Sequence, residues 1–447
     1  MDRLVEIFNV CWPMYAAMPA ILKDAIERAY AAAGWDLVRS ENKYDKGLFP
    51  TFKDVFSQIK KVLEESDYSA DNKGDYTGAL VTRIKSLTNG INGLIFTADG
   101  IPDSRLFDEN VIVDLSRVGS SETKSLIMGL LVLKLQEHRM QSSEPNAKIH
   151  HVTVLEEAHN LLKRTSTEQP TEGANLLGKS VEMLANSIAE MRTYGEGFII
   201  ADQSPGLLDM AVIRNTNTKI ILRLPDFSDR ELVGKAAGLN DDQIIELARL
   251  ERGVAAITQS DWLEPVLCKV DKYENGRNNN QKKKKYQGSG KVSINYTDVR
   301  QSLLECIMSK EIYRKGDRTD IQKLRQAVIC SNLGAVVKCD FIDYITAGKD
   351  DIEETFPRFL YDFFEAERAI NETEKYSDIE KWSEMVIKRL TPSVQEYDFK
   401  QNEILLAFIL LEQNRRDSSY DDLIMRFRDY SEQREVMLNA GNRKKNC

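Results

Sequence analysis

The chain has 447 residues, which at about 100 to 200 residues per domain predicts two or three domains and at least one large hydrophobic core. Its 61 Lys and Arg residues are outnumbered by 70 Asp and Glu residues, and the net charge of −9 excludes a uniformly basic nucleic-acid-binding surface. No run of about 18 apolar residues and no basic-then-apolar leader occurs, so we expect a cytoplasmic protein without a membrane-spanning segment. The six cysteines include no CxxC pair, which favours reduced thiols over a zinc ribbon or a disulfide framework.

The first part of the chain predicts helices followed by an alternation of strands and helices. Apolar residues recur at helical spacing before residue 36 and again in the segment FPTFKDVFSQIKKVLEES. Short apolar runs then predict strands at GLIF near Leu94 and at residues 110–116, 149–156, 197–202, 218–224 and 253–258. Helical patterns separate most of these runs, as expected of a parallel sheet covered on both faces. We therefore predict an α/β core over residues 1–270 with a parallel sheet.

The composition changes after this core. Residues 271–292 are rich in Asn, Gln, Gly and Lys, which predicts a flexible basic linker. The run Lys282–Lys285 could contact phosphate backbones, but few aromatic residues accompany it and a solvated linker is the favoured interpretation. Residues 293–447 are charged and amphipathic with hardly any strand pattern, so we predict a helical C-terminal domain.

Two adjacent carboxylates follow an apolar strand in the segment IHHVTVLEEAHNLL. The strand ends at Glu156 and Glu157, and the carboxyl edge of a parallel sheet is where ligands bind. One carboxylate could hold Mg²⁺ while the other activates water for phosphoryl transfer. The alternative is that EEAH only begins a helix, because acidic residues are favoured at the positive end of a helix dipole.

A literal phosphate-loop pattern, GxxxxGK[ST], occurs once, at Gly173–Ser180. A working loop needs a buried strand that runs into the glycine turn, so that backbone N–H groups and a helix N-terminus face the phosphates. The residues before Gly173 are polar, and Lys179 falls in the middle of a predicted helix, so we reject this match. A second partial match, Gly288–Lys291, lacks the first glycine.

Two further polar residues flank the next predicted strand. Arg192 ends a helical pattern, and Gln203 follows the strand GFIIAD. An arginine can neutralise transition-state charge on a phosphate, and a glutamine can sense the γ-phosphate or orient water. Each residue alone is more often a surface ion-pair former or a strand-end amide. Only their order after the acid pair makes the functional interpretation competitive.

Together these motifs carry a family resemblance over residues 1–270. The segments VIVDLSRVGSSETKSL, VTVLEEAHNLL, AEMRTYGEGFIIADQSP and VIRNTNTKIILRLPD resemble, in order and spacing, the rear part of the motor core of HerA-like ATPases of the HerA/FtsK superfamily. The resemblance implies an α/β fold of the P-loop NTPase type, with a RecA-like parallel sheet that is incomplete at its N-terminus. It also implies that VTVL is the Walker B strand, that Glu156 binds the Mg²⁺ of Mg-ATP, and that Glu157 activates water. Arg192 would then act across the subunit boundary of a hexamer, and Gln203 would act as a sensor.

The chain departs from the family pattern at its start. HerA-like ATPases carry a small β-barrel and a phosphate loop ahead of the helices with which this chain begins, and neither occurs in these residues. Two explanations remain: either the natural protein starts upstream of Met1, or the motor is split or degenerate. The presence of the acid pair together with Arg192 and Gln203 favours a longer natural protein.

The function implied by the resemblance is ATP hydrolysis coupled to translocation on double-stranded DNA. The expected assembly is a homo-oligomeric ring, the hexamer that the resemblance implies, acting in DNA end processing or phage defence with a nuclease or other effector. The main alternative is a ring subunit without a phosphate loop that scaffolds an effector and has no ATPase activity. A less favoured class is a motor that packages or conjugatively transfers DNA beside membrane-anchored partners.

Overall fold

The computed structural model describes most of the chain. The described residues are 1–12, 14–97, 100–164, 172–272, 303, 318–331, 333–348, 351–371, 373, 378–390 and 399–432. The chain separates into two compact units, of which unit 1 comprises Met1–Asp24 with Ile101–Gln287 and unit 2 comprises Ala25–Gly100 with Gly288–Cys447. From residue 273 on, the predicted linker lies outside the described residues.

The helices are mostly short. In chain order they are α1 (Asp2–Cys11), α2 (Met18–Ala32), α3 (Phe52–Glu65), α4 (Ala70–Tyr76), α5 (Thr82–Thr88), α6 (Gly90–Ile95), α7 (Asp103–Phe107), α8 (Ser121–Ser142), α9 (Glu172–Glu190), α10 (Met210–Asn215), α11 (Phe227–Ala236), α12 (Asp241–Glu246), α13 (Arg318–Ile329), α14 (Ala335–Thr346), α15 (Ile352–Phe363), α16 (Ala366–Asn371), α17 (Ile379–Leu390) and α18 (Phe399–Arg416). A π-helical segment, Thr77–Val81, joins α4 to α5. In the part of the chain that the structure describes, no helix is long and apolar enough to cross a membrane.

Within the described ranges of the chain, the strands form three small sheets. In chain order they are β1 (Trp35–Asp36), β2 (Glu41–Asn42), β3 (His151–Glu156), β4 (Glu196–Ala201), β5 (Thr218–Ile221), β6 (Val254–Gln259) and β7 (Val266–Lys269). The pairs are β1 with β2, β3 with β4, and a three-stranded sheet in the order β5-β6-β7. The predicted strands over residues 149–156, 197–202, 218–224 and 253–258 are therefore confirmed, whereas β7 was not predicted.

Two predicted strands are wrong. The segment near Leu94 lies in helix α6, and residues 110–116 have no regular structure, with Ile112 94% exposed. A strand is stable only when a neighbouring strand pairs with its backbone N–H and C=O groups. Among the described residues, no strand pairs with either segment. Periodicity alone could not detect this, because short apolar runs do not distinguish a strand from a helix.

The predicted parallel pairing is confirmed for β3 and β4 but is wrong for the later strands. His151 pairs with Glu196 and Glu156 pairs with Ala201, so β3 and β4 run side by side in register. In contrast, β5, β6 and β7 pair antiparallel. The connection from β6 to β7 is residues 260–265, which is shorter than the dozen or more residues that a parallel crossover needs.

In unit 1, one face of the β3–β4 pair packs on a hydrophobic core that holds the strand ends in place. The core side chains come from β3, α8, α9 and α10, from the turn before β4 and from the loops after β3 and β4: Val132, Leu135, Leu155, Ala158, Leu161, Leu162, Leu184, Ile188, Met191, Leu208 and Val212. Helix α8 also contacts α1 closely, because a Cβ at Gly129 would lie 2.7 Å from Ile7 Cγ2. The order of strands and helices is thus that of an α/β unit, although its sheets are small.

In unit 2, residues 25–100 group with the C-terminal helices rather than with the predicted core. The buried carboxylate of Asp54 accepts a hydrogen bond from the backbone N–H of Ala335, at 2.9 Å, and the Tyr44 hydroxyl donates to Asp343, at 3.1 Å. Local sequence patterns carry no information about such contacts between residues some 280 to 300 positions apart. A cluster of buried aromatic side chains forms the larger core of this unit: Phe341, Tyr344, Phe356, Phe359, Phe363 and Trp382.

Candidate functional site

The parallel pairing of β3 and β4 brings two loops to one edge of the sheet. Because Glu156 is in register with Ala201, the residues that follow each strand leave the sheet side by side. Glu157 follows β3, and Asp202 and Gln203 follow β4. This is the edge at which parallel sheets of α/β proteins bind ligands.

Glu157 stands at the centre of this edge in an uncommon backbone conformation. Its φ angle is +51°, in the left-handed region, where residues other than glycine are rare and often functional. The turn lets a 3₁₀ helix, Ala158–Asn160, begin directly after the strand. Glu157 Oε1 accepts a hydrogen bond from the side-chain amide of Gln203 at 3.0 Å, and 45% of the Glu157 side chain is exposed. The base predicted from the sequence is therefore oriented by the predicted sensor and remains accessible to water.

Asp202 and His159 form a second pair beside Glu157. Asp202 Oδ2 lies 2.8 Å from His159 Nδ1 and also accepts the backbone N–H of His159 at 2.9 Å. Asp202 Oδ1 accepts the backbone N–H of Ser204, also at 2.9 Å. The Asp202 side chain is only 2% exposed, and His159 Nδ1 lies 3.6 Å from Glu157 Oε2. Glu157 Oε1 thus faces the amide nitrogen of Gln203, and Oε2 faces Nδ1 of His159, whose ring contacts Asp202.

Carboxylates of this edge suit Mg²⁺, which is bound in nucleotide sites by one or two carboxylates together with phosphate oxygens. Glu156 and Glu157 could supply these oxygens. Glu157, His159 and Asp202 also offer one ligand atom each within 4.8 Å of one another. His159 is a poor ligand for Mg²⁺, which prefers oxygen, and Asp202 already accepts three N–H groups. The set is better explained as a hydrogen-bonded support for Glu157.

The other two predicted site residues differ in position: Glu156 directly precedes Glu157, whereas Arg192 lies at the far end of β4. Glu156 shares the exposed face of β3 with Val152 and Val154, because side chains alternate along a strand. Arg192 is exposed in the 3₁₀ turn Met191–Tyr194 that precedes β4, at the opposite end of the sheet. The six residues of β4 span about 17 Å, so Arg192 and Glu157 of one chain cannot meet across that distance.

The rejected phosphate-loop pattern is helical, as expected. Helix α9 runs from Glu172 to Glu190 and places Lys179 within it, exposed, with Ser180 buried on the opposite side. The Ser180 hydroxyl accepts a hydrogen bond from Asn9 at 2.9 Å. A serine hydroxyl that is buried against another helix cannot coordinate the Mg²⁺ of a bound nucleotide.

Sequence reasoning missed His159 and Asp202 as site residues. The available signal was their position, since His159 follows Glu157 by two residues and Asp202 immediately follows β4. It also missed a buried ion pair at the other end of the strands. There Glu196, with its side chain fully buried, binds Arg139 at 2.8 Å and contacts His151 at 2.8 Å.

Comparisons with known proteins agree with the motifs. Over 220 residues the chain is 24% identical to the DNA double-strand break repair helicase HerA of Sulfurisphaera tokodaii, which covers 48% of this chain and 42% of that protein. The HerA helicase of Sulfolobus acidocaldarius is 26% identical over 242 residues, covering 53% of this chain and 47% of that protein. The chain is similar to HerA helicases.

The HerA resemblance inferred from the motifs is thereby confirmed, over about half of this chain. The chain spans less than half the length of these HerA relatives. No protein-family model matches it. Among solved structures, VirB4 of Thermoanaerobacter pseudethanolicus aligns with a TM-score of 0.44 and 16% identity, covering 61% of this chain and 69% of that chain.

Proposed function

We propose that this chain carries the Walker B part of the motor core of a HerA-type DNA translocase or helicase. In this proposal the motor hydrolyses Mg-ATP and uses the energy to move on double-stranded DNA in the cytoplasm. The observation that carries it is the hydrogen bond between Glu157 and Gln203 at the carboxyl edge of β3 and β4. A base and a polar sensor joined across two parallel strands are the parts that water-driven phosphoryl transfer requires.

Each site residue has a role that follows from its chemistry. Glu157 accepts the proton of the attacking water, and Gln203 holds the Glu157 carboxylate and senses the γ-phosphate. Glu156 is the Mg²⁺ ligand. Among the described residues no strand leads into a phosphate loop, and in this proposal the motor obtains that loop from a segment or polypeptide outside the described residues. With that part added, we propose a RecA-like core.

Arg192 acts on the nucleotide of a neighbouring subunit in this proposal. It is exposed, and it lies at the far end of β4 from Glu157. An arginine in that position can reach a phosphate only if the phosphate belongs to another copy of the chain. The proposed assembly is therefore a homo-oligomeric ring, the hexamer of the HerA family.

The biological role we propose is DNA end processing or phage defence, with a nuclease or other effector as partner. The relatives' name, which describes double-strand break repair helicases, supports the DNA end-processing role. A ring subunit that scaffolds an effector without hydrolysing ATP is the competing function, and the lack of a strand-borne phosphate loop in these residues favours it.

The test is DNA-stimulated ATP hydrolysis by the chain assembled with the natural segment or polypeptide that carries the phosphate loop. Glu157→Gln should keep ATP binding and lower turnover by about 10² to 10⁴, the usual contribution of a general base. Glu182→Gln, at an exposed position of helix α9, and Lys179→Ala are matched controls and should leave turnover unchanged.

The outcomes separate the two functions. Unchanged turnover in Glu157→Gln would remove Glu157 from the mechanism. If the unsubstituted assembly binds ATP but does not hydrolyse it with or without DNA, the motor function is refuted and the scaffold remains. Activity that is lost in Lys179→Ala would show that the phosphate loop lies at Gly173–Ser180 after all.

A further inference from the structure

The pair Asp202 and His159 has no part in the proposed function so far, yet it is the most constrained part of the site. Asp202 is almost fully buried and accepts three N–H groups, two of them from His159. A buried carboxylate costs free energy unless its oxygens are hydrogen-bonded. The three hydrogen bonds of Asp202 therefore stabilise its position in the folded chain. The anchored residue, His159, is itself 27% exposed and faces the solvent side of the site.

The hydrogen bond with Asp202 favours one tautomer of the His159 ring. An ionised carboxylate only accepts hydrogen bonds, so Nδ1 of His159 must carry the hydrogen at a separation of 2.8 Å. In the neutral ring Nε2 then keeps its lone pair. The N–H edge of the ring lies 3.6 Å from Glu157 Oε2, on the side of the carboxylate that Gln203 does not hold.

We propose that Asp202 is a positioning residue that acts through His159 to hold the Glu157 carboxylate in place for water activation. The proposal rests on the proposed ATPase function of Glu157. Asp202 anchors the backbone N–H of His159, which lies within the 3₁₀ turn that begins after Glu157, and it anchors the ring that flanks Glu157 Oε2. Gln203 donates a hydrogen bond to Oε1, so the two consecutive residues after β4 act on opposite sides of the Glu157 carboxylate, Gln203 directly and Asp202 through the position of His159.

The ring tautomer tests the hydrogen bond without requiring ATP. The chain has four histidines, so with ring-¹⁵N-labelled histidine the magic-angle-spinning NMR signals of His159 are identified by their loss in His159→Asn. At a pH where the ring is neutral, we expect the Nδ1–H tautomer in the unsubstituted chain. In Asp202→Asn the new amide can donate to Nδ1, which should switch the ring to the Nε2–H tautomer.

A matched control comes from the same loop. Asp209 accepts the N–H of Ala211 as the N-cap of α10, and Asp209→Asn keeps that capping ability and should leave the His159 signals unchanged. An Nε2–H tautomer in the unsubstituted chain, or identical His159 signals in Asp202→Asn, would overturn the proposal. This result stands whether or not the assembly hydrolyses ATP.

The kinetic test distinguishes positioning from a purely structural role. In the ATP-hydrolysing assembly, Asp202→Asn should lower kcat by about 10- to 100-fold, as loss of a supporting hydrogen bond at a site typically does, and leave KM for ATP unchanged. His159→Asn retains a side-chain N–H that can reach Asp202, and it should recover most of the kcat lost in His159→Ala. Equal losses in both His159 variants, or a rise in KM with unchanged kcat, would refute positioning. If no ATP is hydrolysed by the unsubstituted assembly, the proposed function fails, and the positioning role fails with it even where the tautomer is as expected.

Discussion

The buried ion pair between Arg139 and Glu196 allows a quantitative test of what fixes the β3–β4 pair. Arg139 lies in α8 and Glu196 begins β4; their side chains are 1% and 0% exposed, and Arg139 Nε donates to Glu196 Oε2 at 2.8 Å. Burial alone would lower the pKa of the Arg139 guanidinium, but its hydrogen bonds with Glu196 and Asp108 outweigh burial and raise that pKa. The Arg139 guanidinium therefore stays charged in the folded state.

The expected cost of breaking this pair follows from its burial. Glu196→Gln leaves the buried Arg139 charge with only Asp108, whose side chain is 46% exposed, as a carboxylate partner. Removing one partner of a buried pair costs about 3 to 5 kcal/mol, because the other charge stays desolvated. Arg139→Met should cost a similar amount. In the double variant neither partner of the pair is left as an unpaired buried charge. The free energy lost in the double variant should therefore be about 2 to 3 kcal/mol smaller than the two single losses added together.

The assay is native-state hydrogen exchange of peptides covering residues 151–156 and 196–201. Both peptides lie in unit 1, and their exchange reports the free energy of opening of the β3–β4 pair. Glu231→Gln, which removes the exposed Lys235–Glu231 pair in α11, is the control and should leave exchange unchanged. Single variants that cost less than about 1 kcal/mol, or a double variant that costs the full sum, would refute the assignment of a buried, mutually dependent pair.

Two further predictions concern unit 2 and the ring. Burial, together with the neighbouring Asp362 carboxyl, raises the pKa of Asp340 from 3.8 to about 8. Between these two pH values Asp340 is ionised in the unfolded chain but protonated in the folded one, so the free energy of unfolding of unit 2 should fall as pH rises. Urea unfolding measured across this pH range should show a weaker fall in Asp340→Asn. In the ATP-hydrolysing assembly, Arg192→Ala should lower turnover by about 10³ to 10⁵, and mixing it with Glu157→Gln should restore part of the activity, because some interfaces then join an intact arginine to an intact base. Mixed rings that stay inactive would show that Arg192 acts within its own subunit or only supports the fold.

The sequence predicted the elements around the site well. The strands that became β3 and β4, the helix that contains Lys179, and the acid pair at the end of β3 all follow from local periodicity and turn signals, and the structure confirms them. Glu157 and Gln203 were predicted as site residues from motif order, and the structure joins them by a hydrogen bond. These features depend on residues close together in the chain, where side-chain pattern and backbone conformation are directly linked.

What the sequence left open depends on contacts between distant segments. Residues 110–116 have the composition of a strand but pair with no strand among the described residues, and nothing in the sequences of β5 and β6 predicts that these two strands pair antiparallel. The burial of Asp202, its bonds to His159 and the pairing of Arg139 with Glu196 join residues more than 40 positions apart. A hydrogen bond or an ion pair of this kind becomes stronger because folding removes the water around it. Only the tertiary structure decides where that happens, and so which polar residues become the support of the site.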